Sequence, residues 1–183
     1  MNCEQVLGKY NYLCSKSSDI NEHLPTLKRY SEGLDTVIEF GVRRIVSTWA
    51  FLAGSPKKLI SYDINHPSVF GADIEEVHFA SKACGVEFEF IEGDTRKITI
   101  PDCDMLFIDT LHEYVQTRAE LNKHAKNVKK YIAFHDTVTF CHTGESGGLG
   151  ICHAIEEFLS ENNEWKIKEV FNNNNGLTII ERV

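Results

Sequence analysis

"VIEFGVRRIVSTWAFLAGSPKKLISYDI", residues 37–64, opens on a short hydrophobic run and turns at Gly41. It continues through "VSTWAFLA" at helical spacing and closes on a second hydrophobic run that ends in Asp63. Strand, turn, helix and strand in about thirty residues make a βαβ unit, in which the helix carries the chain back so that the two strands run parallel. The turn holds one glycine where the nucleotide-binding fingerprint G-x-G-x-x-G has three. The stretch therefore asks whether the chain binds a nucleotide-like cofactor with half of that pattern missing.

The same alternation continues towards the C-terminus. Phe70, Ile74, Val77 and Cys84 follow the helical period, then come the runs "VEFEFI" and "DMLFID", a helix from about Glu113 to Lys126, and the run "KYIAFHD". Near-continuous hydrophobic strands alternating with helices are best buried as a parallel sheet covered on both faces. Ile151, Ala154, Ile155, Phe158 and Leu159 then form one apolar helical face. After it, "WKIKEVF" and "GLTIIERV" flank "NNNN", a turn of residues that tolerate positive φ, which predicts a closing β-hairpin. Towards the N-terminus, Val6, Leu7, Tyr10, Leu13 and Cys14 predict a helix. Asp19 with Glu22 three residues on reads as a capping box, and Pro25 interrupts or restarts a second helix. The chain reads as one domain over residues 1–183, with a helical lead over 1–33 and an α/β core over 34–183, without repeats or linkers.

At 183 residues, with 42% hydrophobic and 25% charged residues, the composition is that of a globular protein with one core. A net charge of −8 argues against charge-driven binding to nucleic acid, because neutralising phosphates needs a basic surface. Lys123, Lys126 and Lys130 could share a helix face, read as solvated. No apolar run approaches the roughly 20 residues of a membrane span, and "MNCEQVLGKYNYLC" lacks the apolar core of a secretory signal, so a cytoplasmic protein that binds no membrane is expected. The six cysteines are scattered without a CxxC pair, and free thiols are expected.

Ligands of open α/β sheets bind beyond the carboxyl ends of the strands. The residues delivered there are Glu39 and Gly41 after the first strand, Asp63 after the second, and Asp94 after the third. Asp109 with His112 follow the fourth, and His135 with Asp136 the fifth. Any one acid could be no more than a helix cap. Together they suit a cofactor with hydroxyls and an ammonium group, since carboxylates accept from a ribose diol and Gly41 allows close backbone approach.

The motifs "EFG", "YD", "EGDT", "DMLFIDTLHEY" and "YIAFHDT", followed by a hairpin, resemble the class I S-adenosylmethionine-dependent methyltransferases. The nearer likeness is to the small-molecule O-methyltransferase branch with "FIDGDHSY" and "HD" segments. The resemblance implies a three-layer α/β/α doubly wound, Rossmann-like fold, with a mostly parallel seven-stranded sheet in the order 3-2-1-4-5-7-6. By resemblance, Glu39 and Gly41 cradle the methionine part of S-adenosylmethionine, with Ser47 beside them, although Ser47 is more simply a helix cap. Asp63 accepts from the ribose hydroxyls, Asp94 lies near the adenine amino group, and Asp109 borders the cofactor. Asp109, His135 and Asp136 occupy the positions that hold Mg²⁺ in metal-dependent members.

The implied reaction moves the sulfonium methyl group onto a hydroxyl of a small molecule such as a sugar or phenol. A divalent ion would lower the acceptor's pKa. His112, with an ordinary pKa of about 6.5, would take the proton, or else stack on the cofactor or cap the next helix. Two departures matter. Ile45 stands where related sequences carry a second glycine, and Leu111 replaces an acid often taken as the base. Either would suit the alternative of a binding or assembly protein that keeps the fold without the chemistry. Cys141, His142, Cys152 and His153 offer zinc-type ligands at unusual spacing, the glycines around Gly147 read as a mobile segment at the rim, and "VRR" could steer an acidic substrate. A homo-oligomer is expected, because the short lead leaves little material to cover a substrate pocket.

Overall fold

The computed structural model describes residues 3–183; the first two residues of the helical lead lie outside them. The chain runs α1 (Cys3–Ser15), α2 (Leu24–Ser31), β1 (Thr36–Phe40), α3 (Val46–Gly54), β2 (Lys58–Asp63), α4 (Ile74–Ala83), β3 (Glu87–Glu92), β4 (Cys103–Ile108), α5 (Tyr114–His124), β5 (Val128–His135), α6 (Ile151–Glu161), β6 (Trp165–Phe171) and β7 (Leu177–Arg182). The seven strands form one sheet in the order β3-β2-β1-β4-β5-β7-β6. The first five are parallel, and β7 enters antiparallel between β5 and β6. This is the Rossmann-like methyltransferase architecture that the motifs imply.

Alternation of side chains across each strand builds two cores. Val37, Met105 and Phe107 pack towards a layer holding Leu27, Trp49, Phe51 and Val77, and Ile38, Phe40 and Leu106 towards one holding Leu121, Ile155 and Phe158. Helix α3 is buried nearly all round, as expected of a helix overlaid by others rather than by water. The hairpin forms at the asparagine run: Asn174, Asn175 and Gly176 take φ of 43°, 70° and 95°.

Several local expectations change. Phe70 belongs to a separate 3₁₀ turn, Pro67–Phe70, and α4 starts beyond it under an Asp73 side-chain cap. Helix α5 ends at His124 and a 3₁₀ turn carries the chain into β5, so Lys130 lies on a strand and not beside Lys123 and Lys126. Asp19 caps nothing; the following 3₁₀ turn, Asn21–His23, lacks a side-chain cap. Pro25 sits in the first turn of α2, where its missing N–H costs nothing. Ser47 lies inside α3 and is not its cap. Cys141 and Cys152 are joined by a disulfide across a Cα–Cα distance of 4.7 Å, so two of the six thiols are not free. Among the described residues, no helix is long and apolar enough to cross a membrane.

Candidate active site

The parallel strands end on one rim, and the loops after them enclose two adjoining cavities. The smaller, about 390 Å³, is lined by Gly41, Asp63, Asp94, Asp109 and Gln116 among others. The larger, about 710 Å³, shares Gly41, Arg43, Phe70 and Asp109 to Leu111 with it and continues past His112 and Asp136 to Lys16–Ile20 of the lead. Both volumes fall in the range of ligand sites.

Gly41 makes the first turn. Its φ is 85°, and a Cβ there would overlap the backbone carbonyl of Asp109, so β1 and β4 can deliver their ends this close together only with glycine. Asp63 shapes the same loop. Its Oδ2 accepts the N–H groups of Val42 (2.8 Å) and Arg43 (2.9 Å), and its Oδ1 that of Asn65 (2.9 Å). An ionised carboxylate has about four acceptor positions, so one on Oδ1 remains for a ligand hydroxyl. Asp63 thus positions the loop as well as facing the smaller cavity.

Glu39 does not face either cavity. It is 0% exposed and accepts hydrogen bonds from Ser47 (2.5 Å), Thr48 (2.9 Å) and Ser61 (2.6 Å). Burial pushes its carboxyl up to about 7 against these three hydroxyls, which favour the charge. Its reach to a ligand is indirect, through Ser47, which lines the larger cavity. Ile45 leaves both cavities open: it takes φ of 55° and turns its side chain, 5% exposed, into the core. Leu111, 49% exposed, does line both cavities and offers them no carboxylate.

At the far end of the smaller cavity, Asp94 is held by Arg96 through Nε and NH2, each at 3.0 Å, and by the Arg96 N–H. These bonds keep its carboxyl well below the usual range. Beneath it lies a buried polar network. Glu120 accepts from Thr95 (2.6 Å), Gln116 (2.7 Å) and Thr110 (3.0 Å), and His124 donates to the Thr95 carbonyl (2.7 Å). Burial pushes Glu120 up to about 7, opposed by those three donors. Sequence reasoning missed this network, although Gln116, Glu120 and His124 at intervals of four make a polar stripe along α5 that could have revealed it.

Asp109, His112 and Asp136 come together at the larger cavity, with His135 buried against the two carboxylates. His112 Nε2 lies 2.8 Å from Asp136 Oδ2 and 3.3 Å from Asp109 Oδ1, its Nδ1 meets Glu145, and its ring stacks on Phe140 at 4.7 Å. His135 places Nδ1 at 3.2 Å from Asp136 Oδ2 and 3.4 Å from Asp109 Oδ1, while its Nε2–H donates to the Asp19 carbonyl (3.1 Å). Burial alone would lower both imidazoles, but the two carboxylates override it and hold each at about 10. Burial would raise the acids, yet the bonds from His112 and His135 bring both Asp109 and Asp136 below the ordinary carboxylate range. Asp109 and Asp136 thus favour the charged form of His112, and its ordinary pKa does not apply.

The cluster also fits a divalent ion. Ligand atoms of Asp109, His112 and Asp136 lie within 4.8 Å of one another. Asp136 Oδ1 is buried with no hydrogen-bond partner, and the residue holds φ of 61°, a costly conformation outside glycine. A buried carboxylate oxygen that nothing in the protein satisfies is in keeping with a cation ligand. With Nε2–H of His135 fixed on a carbonyl, its neutral form aims the Nδ1 lone pair at the same two carboxylates, as a ligand would. The group whose ligand atoms converge thus has His112 beside Asp109 and Asp136, where the sequence reading had His135. Cys141, His142, Cys152 and His153 form a disulfide and a tilted ring pair at 5.8 Å instead.

No protein-family model and no curated protein sequence matches the chain. Solved structures do match in fold. A candidate caffeoyl-CoA O-methyltransferase from Staphylococcus aureus has a TM-score of 0.67 at 13% identity, covering 99% of each chain. A candidate rRNA methylase from Clostridium thermocellum has a TM-score of 0.65 at 12% identity, covering 92% of this chain and 99% of its own. The SAH-bound methyltransferase PaMTH1 from Podospora anserina has a TM-score of 0.59 at 15% identity, covering 97% and 87%. At these identities the likeness is one of fold.

Proposed function

We propose that this protein is an S-adenosylmethionine-dependent O-methyltransferase acting on a hydroxyl of a small molecule with the help of a divalent cation. The observation that carries this reading is the pair of cavities meeting at Asp109. One is bordered by Asp63 and Gln116 and is sized for a nucleoside; the other is walled by the acid and imidazole cluster. The shared fold, found in methyltransferases including one bound to SAH, supports the cofactor.

Transfer needs the acceptor oxygen aligned behind the sulfonium methyl carbon. That oxygen forms the new C–O bond, the C–S bond breaks, and sulfur keeps the electron pair. The shared border of the two cavities would let the two reactants meet, with Leu111 and Phe70 offering apolar surface there. A divalent cation held by Asp109, Asp136 and the facing imidazoles would lower the pKa of the acceptor and displace the imidazolium protons. His112 is oriented by Glu145 and Phe140 with Nε2 towards Asp109 and Asp136, so where it helped to hold the ion it would act as a ligand and not as the base that takes the acceptor's proton. Carboxylates suit Mg²⁺ and imidazole suits softer ions such as Zn²⁺ or Fe²⁺, so the mixed donors leave the ion's identity to titration.

A non-catalytic binding role is the rival reading, and Leu111, which brings no acid to the rim, favours it. Acceptors such as rRNA are disfavoured by the net charge of −8. A cytoplasmic location and a homo-oligomer remain part of this proposal, the latter open to sedimentation. The deciding experiment is calorimetric titration with S-adenosylmethionine and S-adenosylhomocysteine, with and without Mg²⁺, Mn²⁺ or Zn²⁺, followed by a hydroxyl-acceptor screen. Micromolar cofactor binding with cation-dependent turnover is expected. Cofactor binding without turnover on any acceptor would favour the rival, and no binding would exclude methyl transfer and leave a role that keeps only the fold.

A further inference from the structure

The larger cavity is lined by two unlike sets of side chains. One is Asp109, Asp136 and Glu145 around His112; the other is Lys16, Arg43 and Arg44, with Asp19 beside Arg43. Arg43 has a partner, Asp19, at 3.8 Å. Lys16 and Arg44 do not: among the described residues, neither has a carboxylate within 4.0 Å. Acids outnumber bases by 27 to 19, and most other cations are paired, as Lys58, Arg96, Arg118 and Lys168 are, with Lys82, Lys123 and Lys126 at helix ends away from this cavity as further exceptions. Two cations without a carboxylate partner at one cavity, which Leu13, Ile20, Val46 and Phe70 also line with apolar surface, offer an anion a local site. The loop that carries Arg44 is fixed by Asp63 from below, so its position is set by the fold.

We infer that the acceptor is a hydroxy compound with an anionic group, a phosphate or a carboxylate, bound by Lys16 and Arg44 while its hydroxyl meets the acid and imidazole cluster. The inference rests on the methyltransferase reading for the fate of the hydroxyl, but not for the anion site itself. Like charges keep the anion off the acids, so the two sets together fix which end of the acceptor enters. Arg44 can grip either group with two parallel N–H bonds, and Lys16 adds a point charge that is indifferent to its geometry.

The test uses three ring probes on the full chain: phenol, 4-hydroxybenzoate and 4-hydroxyphenyl phosphate, titrated in parallel with S-adenosylmethionine. The proteins are the wild type, the Lys16→Gln/Arg44→Gln double variant, and Lys168→Gln as a control outside the cavity. Wild type and control should bind at least one anionic probe about tenfold or more tighter than phenol, and salt should weaken that preference. Whichever anion is preferred identifies the group. The double variant should bind all three within about twofold of phenol, with cofactor affinity unchanged. Equal binding of the three probes by the wild type would overturn the proposal, and so would an anion preference that survives in the double variant. If S-adenosylmethionine fails to bind while the anion preference appears and is lost as described, the methyl-transfer reading falls and the anion site stands.

Discussion

Two residues show how side chain and backbone trade against each other at this rim. Asp136 sits at φ 61°, a conformation asparagine also tolerates. Asp136→Asn therefore keeps the backbone and removes the charge. It should fold normally and keep S-adenosylmethionine affinity within about threefold. It should lose divalent-cation binding and about 100-fold or more of its turnover, in line with removing a metal ligand. Calorimetry and initial rates decide, and full activity in this variant would exclude the cation role. Ile45, at φ 55°, poses the opposite question, because glycine is the residue its backbone favours. Relief of the left-handed strain is worth about 1–2 kcal/mol, whereas deleting a buried isoleucine side chain costs about 2–5 kcal/mol. Burial wins: Ile45→Gly should be less stable by about 1–3 kcal/mol in urea titration. Cofactor affinity should be unchanged, since the side chain faces the core and not the ligand.

At the scale of elements, the roof of the larger cavity is latched by the far end of the chain. The Asn174 amide donates to the Ser18 carbonyl (2.8 Å) and its oxygen accepts from the Glu22 N–H (2.9 Å), while His23 donates to the Asn173 and Asn174 carbonyls. Asn174→Gly keeps the positive φ of the hairpin turn and deletes both side-chain bonds. At about 1 kcal/mol each, it should cost about 2 kcal/mol. It should speed amide exchange across residues 18–24 and raise KM for the acceptor more than it lowers kcat. Unchanged exchange there would mean that the lead is held by its apolar contacts alone. This latch also marks what the sequence could and could not disclose. Strands such as "DMLFID" are legible because burial on both faces leaves an uninterrupted hydrophobic run, and "NNNN" is legible because few residues accept left-handed φ. The meeting of that turn with Ser18 and Glu22 depends on contacts across more than 150 positions, which no local pattern encodes. The Cys141–Cys152 bond joins positions only 11 apart, but it depends on the path of the loop between them, and the burial of Glu120 in a helix that reads as polar depends on what packs over it. That Asp109, His135 and Asp136 share one rim is legible because strand ends have a fixed place in this architecture, and that Glu145 joins them is not, because loop residues have none.

For the molecule as a whole, these buried groups set an unusual response to pH. Glu39 and Glu120 both rise from an ordinary 4.5 to about 7. A buried acid with a raised pKa binds its proton more tightly when folded, so its stabilisation is complete below about 4.5 and is lost as pH climbs to about 7. The upper bound is about 3 kcal/mol for each. His112 and His135, held at about 10, act in the same direction over a higher window: their contribution is complete below 6.5 and is lost between there and about 10. The lowered acids Asp94 and Asp136 lose their contribution only on acidification below the ordinary aspartate range. Stability should therefore peak near pH 5 and decline through neutrality, helped by growing repulsion in a chain already at −8 at pH 7. Glu39→Gln/Glu120→Gln should flatten the limb between pH 5 and 7 and leave the one above 7 in place, as read from melting temperatures across the range. A divalent cation should affect only the upper limb. Its binding competes with the imidazolium protons, so the rise in melting temperature on adding Mg²⁺ or Zn²⁺ should grow with pH from 6 to 9. A cation effect that is constant with pH would show that the ion binds elsewhere, and that His112 and His135 keep their protons in its presence.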